Sequence, residues 1–291
     1  MTFKYQIENL NILSELEIPM LRSVCFEKAD IKILIKSNIE APKKIIEIKS
    51  NKILYKDSYQ NIFAITSKEI HVYCINQQHK QEAGITIMGI PIGYLLQKNS
   101  FQVLHGSSIA SKTNKLAVSF IGRSGAGKSS IALELVSYGL KLVTEDLCII
   151  KNTNIYNFSS WIKSSRPTMP EKLLYLNEIL LNRDSRNRSL FEIDKKHISK
   201  PKTKLKAIYF FDDADDTSEA KISKLEPADS FKFLFTYAYR SNEKDNKSLD
   251  NLTELCRNTE CFLFSRNPNK PFQENKTIIY NHLNQNFLTK D

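Results

Sequence analysis

The stretch that decides the fold is Lys115-Leu116-Ala117-Val118-Ser119-Phe120-Ile121-Gly122-Arg123-Ser124-Gly125-Ala126-Gly127-Lys128-Ser129. Its first seven residues form a nearly unbroken apolar run, which is typical of a strand buried on both faces. The last eight fit the pattern G-x-x-x-x-G-K-[ST] at every fixed position. From Ser129 to Tyr138, apolar residues recur at helical spacing, and Gly139 is placed to end the helix. The stretch predicts a strand, a phosphate-binding loop and a helix in an α/β core.

Each residue type in this loop has a chemical reason. Gly125 and Gly127 let successive backbone N–H groups point at phosphate oxygens, because no Cβ blocks the approach. The start of the helix adds its positive end. Lys128 would neutralise the outer phosphates of a nucleotide, and the Ser129 hydroxyl would ligate Mg²⁺. The predicted nucleotide-binding residues are Gly122, Arg123, Ser124, Gly125, Ala126, Gly127, Lys128, Ser129 and Ser130.

A phosphate-binding loop does not by itself define a reaction, since further acidic groups must hold the metal and activate an acceptor. Two acidic pairs qualify. Glu145-Asp146 ends the strand after the loop helix, and Asp212-Asp213 follows the apolar strand Leu205–Phe211. The second pair also reads as part of a solvated acidic turn, because Asp215, Asp216 and Glu219 follow it. The residue pattern alone leaves the choice between the pairs open.

The segments that flank the loop predict the domain organisation. Short extended segments, such as the alternating Ile31–Ile35 and the apolar Ile62–Ile65, follow one another closely and predict a small antiparallel β-rich domain over residues 1–98. One helix is predicted over Ile85–Leu96, where Pro91 is tolerable only near the first turn. Residues 99–267 are predicted to form the phosphate-loop domain, with further strands at 140–144 and 147–150. An irregular C-terminal tail is predicted over 268–291.

Composition restricts the classes of partner and compartment. The chain lacks an apolar run long enough to span a bilayer and a signal-peptide core, so we expect a cytoplasmic protein with no membrane partner. Its five cysteines form no CxxC pair, which argues against a metal–thiolate site. Neither an RNA-binding nor a zinc-finger motif is present, so nucleic acid is not expected.

The net charge of +10 is concentrated in one stretch. Residues 183–206 contain nine Lys and Arg against three carboxylates. Two interpretations stay open: a solvated surface, or attraction to an anion such as a nucleotide phosphate or an acidic peptide. The nine cations are Arg183, Arg186, Arg188, Lys195, Lys196, Lys200, Lys202, Lys204 and Lys206.

The segments Leu104-His105-Gly106, Leu116–Ser129 and Ile131–Asp146 together resemble the catalytic core of the HPr kinase/phosphorylase family, whose motifs are M-H-G, a P-loop and A-L-E-L followed by L-V-A-D-D. More loosely, the chain is similar to a branch that includes kinases of lasso-peptide precursors, on the strength of Pro201–Tyr209 and Leu252–Leu263. The resemblance implies an HPr-kinase-like catalytic domain that uses ATP and Mg²⁺. The acceptor would be a hydroxyl, such as Ser or Thr, on a peptide or small protein. A homo-oligomer is compatible with it, since the resembled enzymes are hexamers.

Carried over residue by residue, the resemblance assigns Asp146 as general base, Lys128 as catalytic lysine and His105 as a neighbour of the acid pair. Glu145 replaces the family's first Asp, and Ser129, Glu145 and Asp146 would hold the metal. The family's E-L-R-G-x-G signature, tied to dephosphorylation, is absent between Ile150 and Pro201. The resemblance therefore implies a forward kinase.

Alternatives to a peptide kinase are a kinase of small-molecule hydroxyls, a non-catalytic nucleotide-binding regulator, and a nucleotide hydrolase with no acceptor. Arg166 and Arg240 are candidates to clamp an anionic group, or are surface arginines.

Overall fold

The computed structural model describes residues 1–165, 169–181, 188–213, 219–240, 246–267 and 272–288. The fold is mixed α/β with several sheets. The chain divides into two compact units: Met1–Val103 with Leu181–Arg183 and Tyr239–Ser248, and Leu104–Leu180 with Asp184–Ala238 and Leu249–Asp291. The predicted domain boundary near residue 98 stays a prediction, since compactness alone does not show that either part folds independently. Among the described residues, no helix combines the length and hydropathy needed to cross a membrane.

The first unit contains one seven-stranded sheet in the order β1-β2-β3-β7-β6-β5-β4. Its centre is parallel, because β3 pairs in parallel with both β2 and β7. The prediction of an antiparallel domain is wrong there. Alternating side chains identify strands, but the long connection from Ser14 to Ile31 lets the chain return in the same direction. The strands are β1 (Phe3–Ile7), β2 (Leu10–Ser14), β3 (Ile31–Ile35), β4 (Ile46–Ile48), β5 (Ile53–Lys56), β6 (Ile62–Ile65) and β7 (Glu69–Tyr73).

Two helices follow this sheet where the sequence predicted one. Helix α1 is Gln77–Thr86 and helix α2 is Ile90–Lys98. Pro91 lies in the first turn of α2, as its missing N–H and fixed φ require. The predicted single helix over Ile85–Leu96 is therefore wrong, because α1 ends at Thr86 and Gly89, whose backbone is not helical, precedes the start of α2.

The second unit is built around a large mixed sheet and a three-stranded sheet. In the large sheet, β16 lies between two parallel partners, β9 and β18. The small sheet has the order β13-β15-β14. The strands are β8 (Gln102–Ala110), β9 (Leu116–Gly122), β10 (Lys141–Thr144), β11 (Leu147–Lys151), β12 (Asn154–Tyr156), β13 (Trp161–Ser164), β14 (Tyr175–Leu180), β15 (Ser189–Ile193), β16 (Lys202–Asp213), β17 (Lys221–Lys224) and β18 (Glu260–Arg266).

Helix α3 (Lys128–Ser137) covers one face of the large sheet. Its buried Ile131 and Leu135 share a core cluster with Phe120 of β9 and Phe211 of β16. Burying an aromatic or large aliphatic side chain contributes about 1.5–3 kcal/mol, so this contact holds the helix start against the strand ends. Gly139 follows α3 with φ +95°, the left-handed conformation that the sequence predicted.

The C-terminal part of the chain is helical. Helices α4 (Pro227–Tyr237), α5 (Asn246–Asn258) and α6 (Phe272–Leu283) are followed by a π-helix, Asn284–Leu288. The predicted irregular tail over 268–291 is wrong within 272–288. Ile279, Leu283 and Phe287 recur every four residues and are buried in the core, a period that the abundant asparagines around them obscure.

Candidate functional site

The Gly122–Ser129 loop connects the C-terminal end of β9 to the first turn of α3. Gly127 is the residue that caps α3, and its φ of +85° is a conformation that a side chain would strain. Gly125, Arg123 and Ser124 are exposed, whereas Ala126 is buried. The loop thus presents its backbone to solvent at the positive end of a helix, and Ser130 continues that helix.

Lys128 is buried, with 6% of its surface exposed. Its Nζ donates hydrogen bonds to the carbonyl oxygens of Gly122 (2.9 Å) and Arg123 (2.8 Å). The ammonium group therefore lies inside the curl of the loop. From β18, the Arg266 guanidinium donates to the Ala126 carbonyl (3.1 Å) and ties the loop to a second strand.

Ser129 joins the loop to the acid pair. Its hydroxyl donates to Oε1 of Glu145 at 2.8 Å, and Oγ of Ser107 on β8 lies 3.2 Å from Oγ of Ser129. The structure thus brings the predicted metal residues Ser129 and Glu145 into direct contact. Asp146 is the next residue along the chain and lies beside them.

Asp146 occupies the tight turn between β10 and β11. Its φ is +83°, which Asp tolerates better than most residues because it is short and polar. The Thr144 hydroxyl donates to the Leu147 carbonyl at 2.8 Å, which closes this turn. The Gly106 amide of β8 donates to the Asp146 carbonyl at 3.1 Å. The first bond stabilises the turn that carries Asp146, and the second ties the backbone of Asp146 to β8.

His105 and Asp146 form the second contact of the site. Nδ1 of His105 lies 3.2 Å from Oδ1 of Asp146, and about a third of each side chain is exposed. Next to His105, Gly106 lets β8 lie close to β9, since a Cβ there would lie 2.3 Å from the Phe120 carbonyl oxygen of β9. The Leu-His-Gly motif therefore has a packing reason for its glycine and a polar contact for its histidine.

The electrostatics distinguish the two acids. Burial, together with the negative charge of Asp146, raises the pKa of Glu145 from its ordinary 4.5 to about 7. Burial opposes ionisation of Asp146 as well, but the positive charge of Lys163, together with those of Arg188 and Lys128, holds its pKa below the usual range. Asp146 is thus the member of the pair that is ionised at neutral pH. Glu145 is the member that takes up a proton.

Burial lowers the pKa of His105, and the nearby charge of Asp146 offsets part of this effect. A neutral imidazole with its proton on Nδ1 can donate to Asp146 and orient that carboxylate. His105 is therefore suited to position Asp146 rather than to carry a permanent charge.

Sequence reasoning missed three polar residues of this site, Lys163, Ser107 and Arg266, and named Arg188 only as one cation of the basic stretch 183–206. The Lys163 amide donates to Oε2 of Glu145 at 3.3 Å, and its charge lowers the pKa of both acids. Arg188 acts on Asp146 in the same way. These residues belong to no motif. The only sequence signal among them is Lys163 itself, a lysine within the short apolar strand Trp-Ile-Lys-Ser of β13.

The alternative acid, Asp212, lies at the same edge of the large sheet. Within the parallel pairing of β16 and β9, Phe211 lies opposite Gly122, and Asp212 follows it, exposed. The charges of Asp212 and Arg123 both act on Tyr237, whose pKa burial raises. Asp212 therefore lies on the Arg123 side of the loop, whereas the hydroxyl of Ser129 bonds to Glu145.

Only one of the two arginines predicted as clamps lies in the part of the chain that the structure describes. Arg240 belongs to the first unit, where it acts on Tyr94. Arg166 lies outside the described residues, as do Arg183, Arg186, Asp215 and Asp216 of the charged stretches.

The donors around Ser129 fit a small hard cation. In the described parts of the chain, no group of three or more His, Cys, Asp and Glu gathers as a metal site. Mg²⁺ with a nucleotide needs only one or two protein carboxylates, because phosphates and water complete its shell. The Ser129 hydroxyl and the Glu145 carboxylate, 2.8 Å apart beside Asp146, have the oxygen chemistry that this ion prefers.

Comparison with known proteins does not identify a family for this chain. No family model matches the chain, and no curated protein matches it. A solved structure, the HPr(Ser) kinase/phosphatase from Coxiella burnetii, is similar at 15% identity over 63% of this chain and 92% of that chain, with a TM-score of 0.32. A superposition this loose carries no information about the site.

Proposed function

We propose that the protein is a Mg-ATP-dependent kinase that transfers a phosphoryl group to a hydroxyl. One observation carries the proposal. The Ser129–Glu145 hydrogen bond and the His105–Asp146 contact place an ionised carboxylate beside a lysine-containing loop at a helix start. The loop supplies phosphate binding, and Asp146 supplies a base. Phosphoryl transfer to a hydroxyl requires both.

The loop binds the nucleotide phosphates. Its backbone faces solvent at the start of α3, where the helix dipole favours an anion. Lys128 places its ammonium inside the loop, 2.9 Å from the Gly122 carbonyl, so an arriving phosphate would gain a cation that is already positioned. Arg266 holds the loop from β18 through Ala126, which limits the rearrangement that binding requires.

Asp146 accepts the proton of the acceptor hydroxyl. The pKa of a free hydroxyl lies far above neutrality, so a carboxylate must take the proton as the bond to phosphorus forms. The low pKa of Asp146 keeps it ionised, and His105 orients it through Oδ1. Its second oxygen remains for the acceptor.

Ser129 and Glu145 would hold Mg²⁺, with Asp146 next to them. When bound, this ion would neutralise charge on the phosphates. Burial and the charge of Asp146 raise the pKa of Glu145, and a bound cation would offset both effects.

The acceptor is proposed to be Ser or Thr of a peptide or small protein. The resemblance of the Leu104–Asp146 segments to HPr-kinase-like proteins supports this class, and the contacts of Asp146 support a catalytic role over a purely regulatory one. A cytoplasmic location and a homo-oligomeric state stay predictions of the same kind.

The test is intact-mass detection of one added phosphoryl group on a library of Ser- and Thr-containing peptides with Mg-ATP. Asp146→Asn and an exposed control, Asp229→Asn, are assayed in parallel. We expect modified peptides with the wild type and the control but not with Asp146→Asn. Mg-ATP binding without transfer to any peptide or to polyol acceptors would refute the kinase and favour a nucleotide-binding regulator.

A further inference from the structure

The end of the large sheet that lies away from the Gly122–Ser129 loop is lined by lysines. In the parallel pairing of β9 with β16, Lys204 lies opposite Leu116 and Phe211 lies opposite Gly122. Seven residues separate these two levels, which is roughly 23 Å at about 3.3 Å per residue. Lys202 and Lys204 are therefore far from the loop, at the start of the parallel strands.

The segment before β16 is attached to this same end. The Ser199 amide donates to the Leu142 carbonyl (2.8 Å), and the Lys200 amide donates to Oδ1 of Asn114 (3.2 Å). Asn114 lies in the turn between β8 and β9, at the start of β9. Lys141 also donates from Nζ to the Lys196 carbonyl. Two segments distant in sequence thus bring their lysines together, and we call the exposed set the lysine surface: Lys112, Lys115, Lys195, Lys196, Lys200, Lys202 and Lys204.

The ammonium groups of the lysine surface have no carboxylate partner among the residues that the structure describes. Asp194, the nearest acid in sequence, accepts a hydrogen bond from the Lys196 amide at 2.9 Å and caps a short turn. By contrast, Lys206 pairs with Glu260 at 2.9 Å. Like charges that face solvent without counter-charges repel one another, so an anionic partner would gain from all of them.

We propose that the lysine surface docks an acidic segment of a polypeptide. The segments Lys112–Lys115 and Lys195–Lys204 contain lysines but no arginine, phenylalanine, tyrosine or tryptophan. Surfaces for single-stranded nucleic acid combine cations with aromatic platforms on which the bases stack. Lysine ammonium groups are mobile point charges that attract anions without a fixed geometry, which fits a flexible run of Asp and Glu side chains.

This docking surface changes the sequence-based interpretation of residues 183–206. The sequence left open whether this stretch is a solvated surface or attracts an anion. Of its described cations, Arg188 acts at the acid pair, whereas Lys195, Lys196, Lys200, Lys202 and Lys204 lie at the opposite end of the sheet. If the docked polypeptide is also the acceptor, which rests on the proposed function, its acidic segment lies at least about seven extended residues from the phosphorylated hydroxyl.

The test is binding without ATP, so that it does not depend on kinase activity. The probe is a fluorescein-labelled peptide of alternating Glu and Ser, measured by anisotropy at low and at physiological ionic strength. One variant carries Lys195→Gln, Lys196→Gln, Lys200→Gln and Lys202→Gln. The matched control removes the same charge from exposed lysines of the first unit: Lys28→Gln, Lys36→Gln, Lys44→Gln and Lys68→Gln.

We expect the first variant to weaken binding by about tenfold or more, with a smaller salt dependence, and the control by less than about twofold. Equal losses in both variants would show a general charge effect and overturn the proposal. Two other ligands are measured with the same variants: oligothymidylate of equal charge and vesicles rich in phosphatidylserine. The proposal would also be overturned if either bound more tightly than the peptide and lost its binding when these four lysines are replaced. If the protein transfers no phosphate but the lysine variant still loses peptide binding, the proposed docking surface is upheld and only the proposed kinase function is refuted.

Discussion

The hydroxyl of Ser129 donates a 2.8 Å hydrogen bond to Oε1 of Glu145, which links the first turn of α3 to the turn after β10. The nucleotide loop and the acid pair are therefore one connected structure. A substitution of Ser129 or Glu145 also affects the other residue, because that residue loses its hydrogen-bond partner within the protein and must bond to water instead.

Replacing Lys128 tests the loop. Lys128→Ala should weaken Mg-ATP binding by at least about tenfold, because about 1.4 kcal/mol of lost charge attraction already has that effect. Isothermal titration calorimetry measures it, with the exposed Lys115→Ala as control. Unchanged affinity in Lys128→Ala would exclude the Gly122–Ser129 loop as the nucleotide site.

Replacing the two candidate acids separates their roles. Asp146→Asn should keep ATP binding and lose at least about 10²-fold in transfer rate, the lower range for a general base. Asp212→Asn should change the rate little, because Asp212 lies on the Arg123 and Tyr237 side of the loop. Single-turnover kinetics with a phosphorylatable peptide measures both. Greater damage from Asp212→Asn would move the base to β16.

Glu145 predicts how stability depends on pH without Mg²⁺. Its pKa is raised on folding from 4.5 to about 7, so the native state holds the proton more tightly than the unfolded state. The free energy of unfolding gains this contribution fully below pH 4.5 and loses it as pH rises through about 7. Glu145→Gln should therefore flatten the fall in stability between these values.

Urea titrations at several pH values measure this effect, with Glu171→Gln as the control for removal of an exposed carboxylate. If the free energy of unfolding of the wild type rises between pH 4.5 and 7, and that of Glu145→Gln rises in the same way, the raised pKa of Glu145 is contradicted.

Lys163 is expected to act as a positioning residue for the acid pair. Its amide bonds Glu145, and its charge favours ionisation of both acids. Lys163→Met should move the acidic limb of the pH profile of kcat/KM to higher pH, and Lys163→Arg should restore it. A structural role alone would lower the rate at every pH and leave the limb in place.

Gly106 is expected to admit no side chain. A Cβ would meet the Phe120 carbonyl at 2.3 Å, so Gly106→Ala must displace β8 or β9 at a cost of about 1–3 kcal/mol. Chemical denaturation measures this loss. Gly125→Ala is the comparison, since nothing lies within 4 Å of a Cβ there and only its φ opposes the change. Equal small losses for both would show that β8 and β9 adapt.

The core around the loop could be predicted because its signals are local. The strand, loop and helix are consecutive, so the apolar run, the glycine spacing and Gly139 define them without knowledge of neighbours. Strand order could not be predicted in the same way. The parallel pairs of β3 with β2 and β7 depend on tertiary packing, which side-chain alternation does not encode.

The sequence predicted that Glu145 and Asp146 act together with Ser129, and the structure brings these residues together. The role of the acid pair stays a prediction. Lys163 escaped notice because it is a single cation without a motif, and Arg188 was named only as one cation of a basic stretch. The pairing of β13 with β15, across a wide sequence gap, brings both near Asp146. The C-terminal helix escaped because asparagine lowers helix propensity, whereas burial of Ile279 and Leu283 overrides that preference.

The parallel pairing of β9 with β16 also governs when the protein can fold. During synthesis β9 emerges early with its antiparallel partner β8, but its other neighbour, Lys202–Asp213, is made much later. Until then, the strand that carries the loop has one open edge, and such edges invite pairing with other chains. Ribosome-bound chains that stop before residue 202 should therefore engage chaperones, and fusion or truncation designs that keep only the loop and its flanking helix should aggregate.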